Sequence, residues 1–306
     1  MGTAMGAAGR TEAGMNRRRA VLLAAVIAAV ATVAHLRFWN ESDHLLYDSP
    51  QYLTNARSLA ERREFLDDSG QPDVRRTPGY PLFLTIFAPL DFSHAAVAGA
   101  QHLLAIALSV AVFLAARRIL GNDPAAFAAA LIVATDTGQV VMADFVMTET
   151  LASVAFFAIL PLALAAVRSG GRRRWWCLLA AGLLIGGAAL IRPAATYLLL
   201  PMAFWVFAFS PGRRLRATAL FAVAGMLLPA AWIVRNTVRA GLPKLSSIGA
   251  ETIYAWRGAG VIAMERTGFQ YAPLPFSGEE EFRHQFFRVV QHEVSDAQRA
   301  EEIRRF

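Results

Sequence analysis

Residues 95–118 read AAVAGAQHLLAIALSVAVFLAARR. A helix of about 20 apolar residues crosses the hydrocarbon core of a bilayer, and Ala95–Ala116 meets that length before two arginines close it. Six further runs come near the same length: Ala20–Phe38, Ala125–Val141, Leu151–Val167, Trp175–Ile191, Ala194–Phe209 and Ala217–Val234. None alternates polar with apolar residues as a membrane barrel strand does, so all seven read as helices whose backbone groups are satisfied internally. Their frequent Ala and Gly suit close helix–helix approach. The expectation is an all-α polytopic membrane protein with about seven transmembrane helices.

Composition agrees. Of 306 residues, 56% are hydrophobic and 17% charged, against about 25% charged in an ordinary soluble domain. That excludes a soluble enzyme and a disordered chain. The single cysteine, Cys177, excludes a disulfide scaffold. The formal net charge is +7, and Lys244 is the only lysine. The arginines lie in short clusters between apolar runs rather than on one face, so no nucleic-acid partner is expected. The arginine bias points to a GC-rich, bacterial genome.

The clusters orient the bundle. Arg17–Arg19 precede the first run, Arg117 and Arg118 follow the second, Arg168 and Arg172–Arg174 lie between the fourth and fifth, and Arg213, Arg214 and Arg216 between the sixth and seventh. Under the positive-inside rule all face the cytoplasm. The first run then reads as a retained signal anchor in the cell (plasma) membrane. The expected organisation is a cytoplasmic tail over 1–19, a transmembrane bundle over 20–234 that includes an extracytoplasmic loop at 39–94, and an extracytoplasmic segment over 235–306. Within the loop, Pro50–Arg63 reads as a short helix, and Tyr80–Leu90 as an apolar run too short to span. The last segment carries a capping-box pattern at Ser277–Glu280, then Phe282, Phe286, Val290 and Val294 at amphipathic helical spacing. No stop signal follows, so more chain is expected beyond Phe306.

Candidate chemistry collects on the outer side. Asp48 lies just beyond the first run, where a carboxylate serves as a general base or a cation ligand. It also stands two residues before Pro50, where Asp is a common helix N-cap. Arg75 and Arg76 precede the turn Thr77–Pro81, which includes Tyr80; two guanidiniums there suit either a phosphate or lipid headgroups. Glu149, in Thr148-Glu149-Thr150, is either a second carboxylate at the depth of Asp48 or a helix-start residue favoured by the macrodipole. Asp136 falls near the end of the third run; an intramembrane carboxylate is a functional candidate, but the following Thr137-Gly138-Gln139 favour a structural one. Arg192 and Arg235 run against the positive-inside trend, either snorkelling to headgroups or binding an anionic lipid-borne substrate. His44 and His94 lack metal-ligand spacing.

In this order, Asp48-Ser-Pro-Gln-Tyr52, Arg76-Thr-Pro-Gly-Tyr-Pro-Leu-Phe-Leu84, Thr148-Glu149, Arg192-Pro193 and Trp232-Ile-Val-Arg-Asn236 resemble the GT-C superfamily of membrane glycosyltransferases. The branch with protein O-mannosyltransferases and bacterial aminoarabinose transferases is the most similar. The resemblance implies a sugar donor on a polyprenyl phosphate and transfer on the extracytoplasmic face to a protein, lipid or glycan acceptor. It implies Asp48 as the catalytic carboxylate, with Tyr52 beside it, and Glu149 as an acidic partner. By charge and position Arg75, Arg76, Tyr80, Arg192 and Arg235 are the candidates to bind the donor phosphate, with Arg76 and either Arg192 or Arg235 stabilising it as it leaves. A divalent cation (Mg or Mn) on Asp48 and Glu149 is a further implication, although Ser49 stands where some members carry a second acidic residue. The competing readings are a transporter or flippase of a lipid-linked or anionic substrate, with Asp136 at its midplane, and a non-catalytic fragment or assembly subunit.

Overall fold

The computed structural model describes residues 2–39 and 44–249, with side chains from Arg17 onward. The amphipathic helix expected after Ser277 lies outside these residues. Among the described residues the regular elements are helices, joined by turns and loops that include one isolated bridge between Leu66 and Pro72. The helices are α1 (Gly2–Arg37), α2 (Ser49–Arg62), α3 (Gly79–Leu84), α4 (His94–Leu120), α5 (Asp123–Ala134), α6 (Thr137–Ala143), α7 (Glu149–Arg168), α8 (Gly171–Ile191), α9 (Leu199–Phe209) and α10 (Arg214–Ala240). Short 3₁₀ turns at Thr85–Leu90 and Pro193–Leu198 follow α3 and precede α9.

Among the described residues five helices are long and apolar enough to cross a membrane: Arg17–Arg37 of α1, and α4, α7, α8 and α10. The expected third span is broken. Thr135 ends α5, Asp136 starts α6 by accepting the Gln139 N–H at 2.9 Å, and the two helices bend by 48°. Counted as one span, the pair makes six. Thr and Asp side chains compete for nearby backbone groups, so Thr135-Asp136-Thr137 stops one helix and caps the next. The expected sixth span, Ala194–Phe209, is a 3₁₀ turn plus an 11-residue helix.

Side chains tie the ends together. Asp123, opening α5, accepts from Arg117 at the end of α4 (2.6 Å) and lies 3.5 Å from Arg19 of α1. At the other end of the same helices, His35 of α1 meets His102 of α4, and His102 meets Asp144 just after α6. The α5–α6 pair therefore runs beside α1 and α4 for about 22 Å, the rise from His102 to Arg117. Arg174 near the start of α8 donates to the Pro211 and Gly212 carbonyls, so Pro193–Phe209 carries the chain back from the end of α8 to its start. The 3₁₀ turn helps, because it rises about 2.0 Å per residue rather than 1.5.

Small residues set the closest approaches. A Cβ on Gly182 of α8 would lie 2.5 Å from the Phe221 carbonyl oxygen of α10, and one on Gly186 2.8 Å from that of Gly225. One core joins Ile27 and Ala31 of α1, Phe113 of α4, and Ala126 and Ala130 of α5. Another lies under the loop between α1 and α4, hereafter loop 1, and joins Tyr52, Leu53, Tyr80, Leu84 and Phe87 to Val97 and Val146. Large apolar side chains such as Leu103, Ile132, Leu200 and Val223 stay exposed. A water-soluble surface would not carry so many, and lipid is the solvent that accepts them.

The chain divides into two units, Met1–Asp73 with Thr77–Pro243, and Val74–Arg76 with Lys244–Phe306. Within the second, the Ser247 N–H donates to the Val74 carbonyl at 3.0 Å, and the Ser246 hydroxyl donates to that of Arg75.

Candidate active site

Asp48 occupies the N-cap position of α2, with Pro50 in the first turn, yet its side chain makes no capping hydrogen bond. The neighbouring Ser49 is fully committed. Its hydroxyl accepts the Leu46 N–H at 2.8 Å and donates to the Val146 carbonyl at 2.9 Å. The Val146 N–H in turn donates to the His44 carbonyl at 2.9 Å. Segment 44–49 is thus stitched to Val146 on both sides of Asp48. Glu149 follows Val146 by three residues, so the two candidate carboxylates hang from one hydrogen-bonded clasp.

The clasp has a floor. Gln101 of α4 is fully buried and donates through Nε2 to the carbonyls of Phe145 (2.6 Å) and Ala143 (3.1 Å). Its Oε1 accepts from the Tyr80 hydroxyl at 2.7 Å. Tyr80 is fully buried and stands edge-on to Tyr52 at 5.1 Å between ring centroids. Burial pushes the Tyr80 phenol well above its ordinary value, and Tyr52 and Glu149 add to the rise, so it remains a donor. Gly79 sets the entry to α3: a Cβ there would lie 2.6 Å from the Leu190 carbonyl carbon, so only glycine lets this turn abut the end of α8.

That contact brings Arg192 into view. It follows α8 directly, and its Nη1 donates to Glu149 Oε1 at 2.7 Å; Glu149 Oε2 accepts from the Thr148 hydroxyl at 3.2 Å. The pair is partly open to solvent, Arg192 at 44% and Glu149 at 26% of side-chain area. The structure therefore joins Glu149 to Arg192, residues that sequence treated as separate candidates.

The other candidates sit elsewhere. Arg235 donates to the carbonyls of Asp73 and Phe65, both at 2.6 Å, and its guanidinium lies 4.8 Å from the Trp232 ring centroid. With Asn55, which donates to Asp73 Oδ2 at 2.8 Å, it pins the far half of loop 1 to α10. Asp136 is exposed and caps α6. Arg75 and Arg76 belong to the second unit.

A Mg- or Mn-type ion needs several oxygen ligands around one point. Among the described residues no three His, Cys, Asp or Glu side chains converge in that way. Both Glu149 oxygens instead face hydrogen-bond donors.

Sequence reading passed over one cluster. His35, His44, His102 and Asp144 are each at most 5% exposed and touch one another, although they come from four separate segments. The available signal was Gln101-His102, two polar residues inside an apolar run.

Comparison with known proteins gives one finding. The model of the family described as dolichyl-phosphate-mannose-protein mannosyltransferase matches residues 75–236, more than half of the chain. No curated protein and no solved structure matches it.

Proposed function

We propose, because this chain belongs to the dolichyl-phosphate-mannose-protein mannosyltransferase family, that Asp48 is the base of a membrane glycosyltransferase working on the extracytoplasmic face. Membership makes the chain a membrane glycosyltransferase with a lipid-linked sugar donor. The finer reading is ours: a polyprenyl-phosphate sugar as donor, an acceptor hydroxyl on protein, lipid or glycan, and a plasma-membrane location with the N-terminus cytoplasmic. By motif we read the chain as similar to the branch with protein O-mannosyltransferases and aminoarabinose transferases.

The acceptor oxygen attacks C1 of the sugar as the bond from C1 to the carrier phosphate oxygen breaks. The acceptor proton passes to the Asp48 carboxylate, and the electron pair leaves with the phosphate. Phosphate departs without protonation, so this site needs one base and a cation rather than the two carboxyl groups of a glycosidase. Arg192 is the cation we assign. It has five N–H donors in a planar fork, so one can hold Glu149 while others meet phosphate oxygens. Glu149 then orients Arg192. Tyr80 and Tyr52 are proposed as the support beneath the clasp, and Arg235 as the anchor of loop 1.

The observation that supports this reading is the clasp, which carries Asp48 on one strand and leads to the Glu149–Arg192 pair on the other. The test is transfer from a panel of radiolabelled polyprenyl-phosphate sugars by purified wild type and Asp48→Asn. Transfer by wild type, lowered at least 1,000-fold in the variant, is the expected result; removing a general base typically costs about 10²–10⁴-fold. Equal turnover by both, with both inserted, removes Asp48 from the mechanism.

A further inference from the structure

We infer that Asp144, held between His102 and His44, is a positioning residue that fixes Asp48; this rests on the proposed role of Asp48. The cluster lies directly behind the clasp. His102 Nε2 is 3.2 Å from Asp144 Oδ1, and His44 Nδ1 is 2.8 Å from the Asp144 carbonyl oxygen and 3.5 Å from its Oδ2. His35 Nδ1 faces His102 Nδ1 at 2.5 Å. The indole of Trp39 covers the His44 and His102 rings, with centroids 5.2 Å away in each case.

The acceptors dictate where the protons sit. A carboxylate and a carbonyl only accept, so His102 carries its hydrogen on Nε2 and His44 on Nδ1. With neutral imidazoles the His102 Nδ1 is then a lone pair and accepts from the His35 Nδ1–H. In this arrangement His102 and His44 donate to Asp144, and His35 donates to His102. α4 thereby bonds the Asp144 carboxylate, loop 1 bonds its carbonyl and approaches the carboxylate, and α1 joins through His102.

Stability alone does not call for such a cluster. Apolar side chains of similar volume usually stabilise a buried site as well as ionisable ones do. In a membrane protein a buried ionisable group is a functional candidate by default. The connection to Asp48 is short. Asp144 leads in two residues to Val146, which bonds to the segment on both sides of Asp48 through His44 and Ser49. His44 adopts a left-handed backbone (φ 54°), an uncommon conformation for a residue other than glycine. Losing the Asp144 carboxylate removes the His102 bond and the 3.5 Å approach of His44 Nδ1, and leaves the His44 ring held by the Asp144 carbonyl alone, so the clasp loosens. A misplacement of about 1 Å costs a reaction of this kind about 10²-fold.

The test uses full-length Asp144→Ala and Asp144→Asn. Asparagine keeps an oxygen for the His102 N–H, and alanine keeps none. Alanine should lower kcat about 100-fold with donor KM within twofold of wild type, and asparagine should restore kcat to within tenfold. In hydrogen exchange, alanine should speed the amides of Leu46, Ser49 and Val146 at least tenfold while those of α7 and α8 hold. Wild-type kcat in Asp144→Ala, a loss carried wholly by KM, or unchanged exchange at those three amides overturns the inference. If Asp144→Ala fails to insert, His102→Phe, which keeps the ring and removes its nitrogens, is read against the same criteria. If wild type transfers no sugar, the proposed function fails and the exchange result still decides whether Asp144 fixes loop 1.

Discussion

Arg192 and Glu149 give the sharpest test of chemistry against stability. Their ion pair is largely solvent-screened, and pairs of that kind contribute about 0–1 kcal/mol to folding. A large loss of transfer on breaking it is therefore not a loss of fold. Arg192→Lys keeps the charge but replaces a planar fork with a point donor, so it cannot hold Glu149 and a phosphate together. We expect transfer to fall about 10- to 100-fold in Arg192→Lys and about tenfold in Glu149→Gln, with the thermal midpoint of each within about 2 °C of wild type. Transfer at the wild-type rate in both would remove the pair from donor binding. At this scale the sequence was half legible. Asp48, Glu149 and Arg192 stand out as charged residues beside apolar runs. Nothing in the spacing of His35, His44, His102 and Asp144 foretells their meeting, because each is a lone polar residue until the fold brings four segments to one point.

Among the elements, α3 and α8 show how packing reaches the site. Gly79 begins α3 against the backbone of Leu190 and Ile191, immediately before Arg192. A Cβ there meets backbone rather than a yielding side chain, so Gly79→Ala must push α3 off the end of α8. Overpacking of this kind costs about 1–3 kcal/mol. Gly187, also in α8, is the control, since a Cβ on it meets nothing within 4 Å and alanine is the better helix former by about 1 kcal/mol. We expect a lower thermal midpoint for Gly79→Ala and an equal or higher one for Gly187→Ala; two equal losses would mean that the α3–α8 contact has no special weight. Apolar run length identified α1, α4, α7, α8 and α10, because a membrane helix needs little beyond length and composition. It overran at α5–α6 and at Pro193–Phe209. There a capping carboxylate and a 3₁₀ turn reshape the backbone inside a stretch that still averages apolar.

For the whole molecule the question is which side of the membrane Asp48 faces. Two sets of arginines meet at one end of their helices, Arg19 and Arg117 around Asp123, and Arg174 at Pro211. The His–Asp cluster joins the opposite ends of α1, α4 and α6. If arginines mark the cytoplasmic side, Asp48 lies outside. Between Asp48 and Gly170 the chain runs through α4, the α5–α6 pair and α7. Three passages put these positions on opposite sides; if the bent pair only dips in and returns, two passages put them on the same side. Single cysteines separate the cases in a Cys177→Ala background. Tyr47 is 69% exposed beside Asp48, and a Cβ on Gly170 meets nothing within 4 Å. We expect Tyr47→Cys to react with a membrane-impermeant maleimide in intact cells, and Gly170→Cys to react only after permeabilisation. Labelling of both in intact cells would make α5–α6 a re-entrant turn. The reverse pattern, Gly170→Cys alone labelled, would put Asp48 in the cytoplasm and end the case for extracytoplasmic transfer.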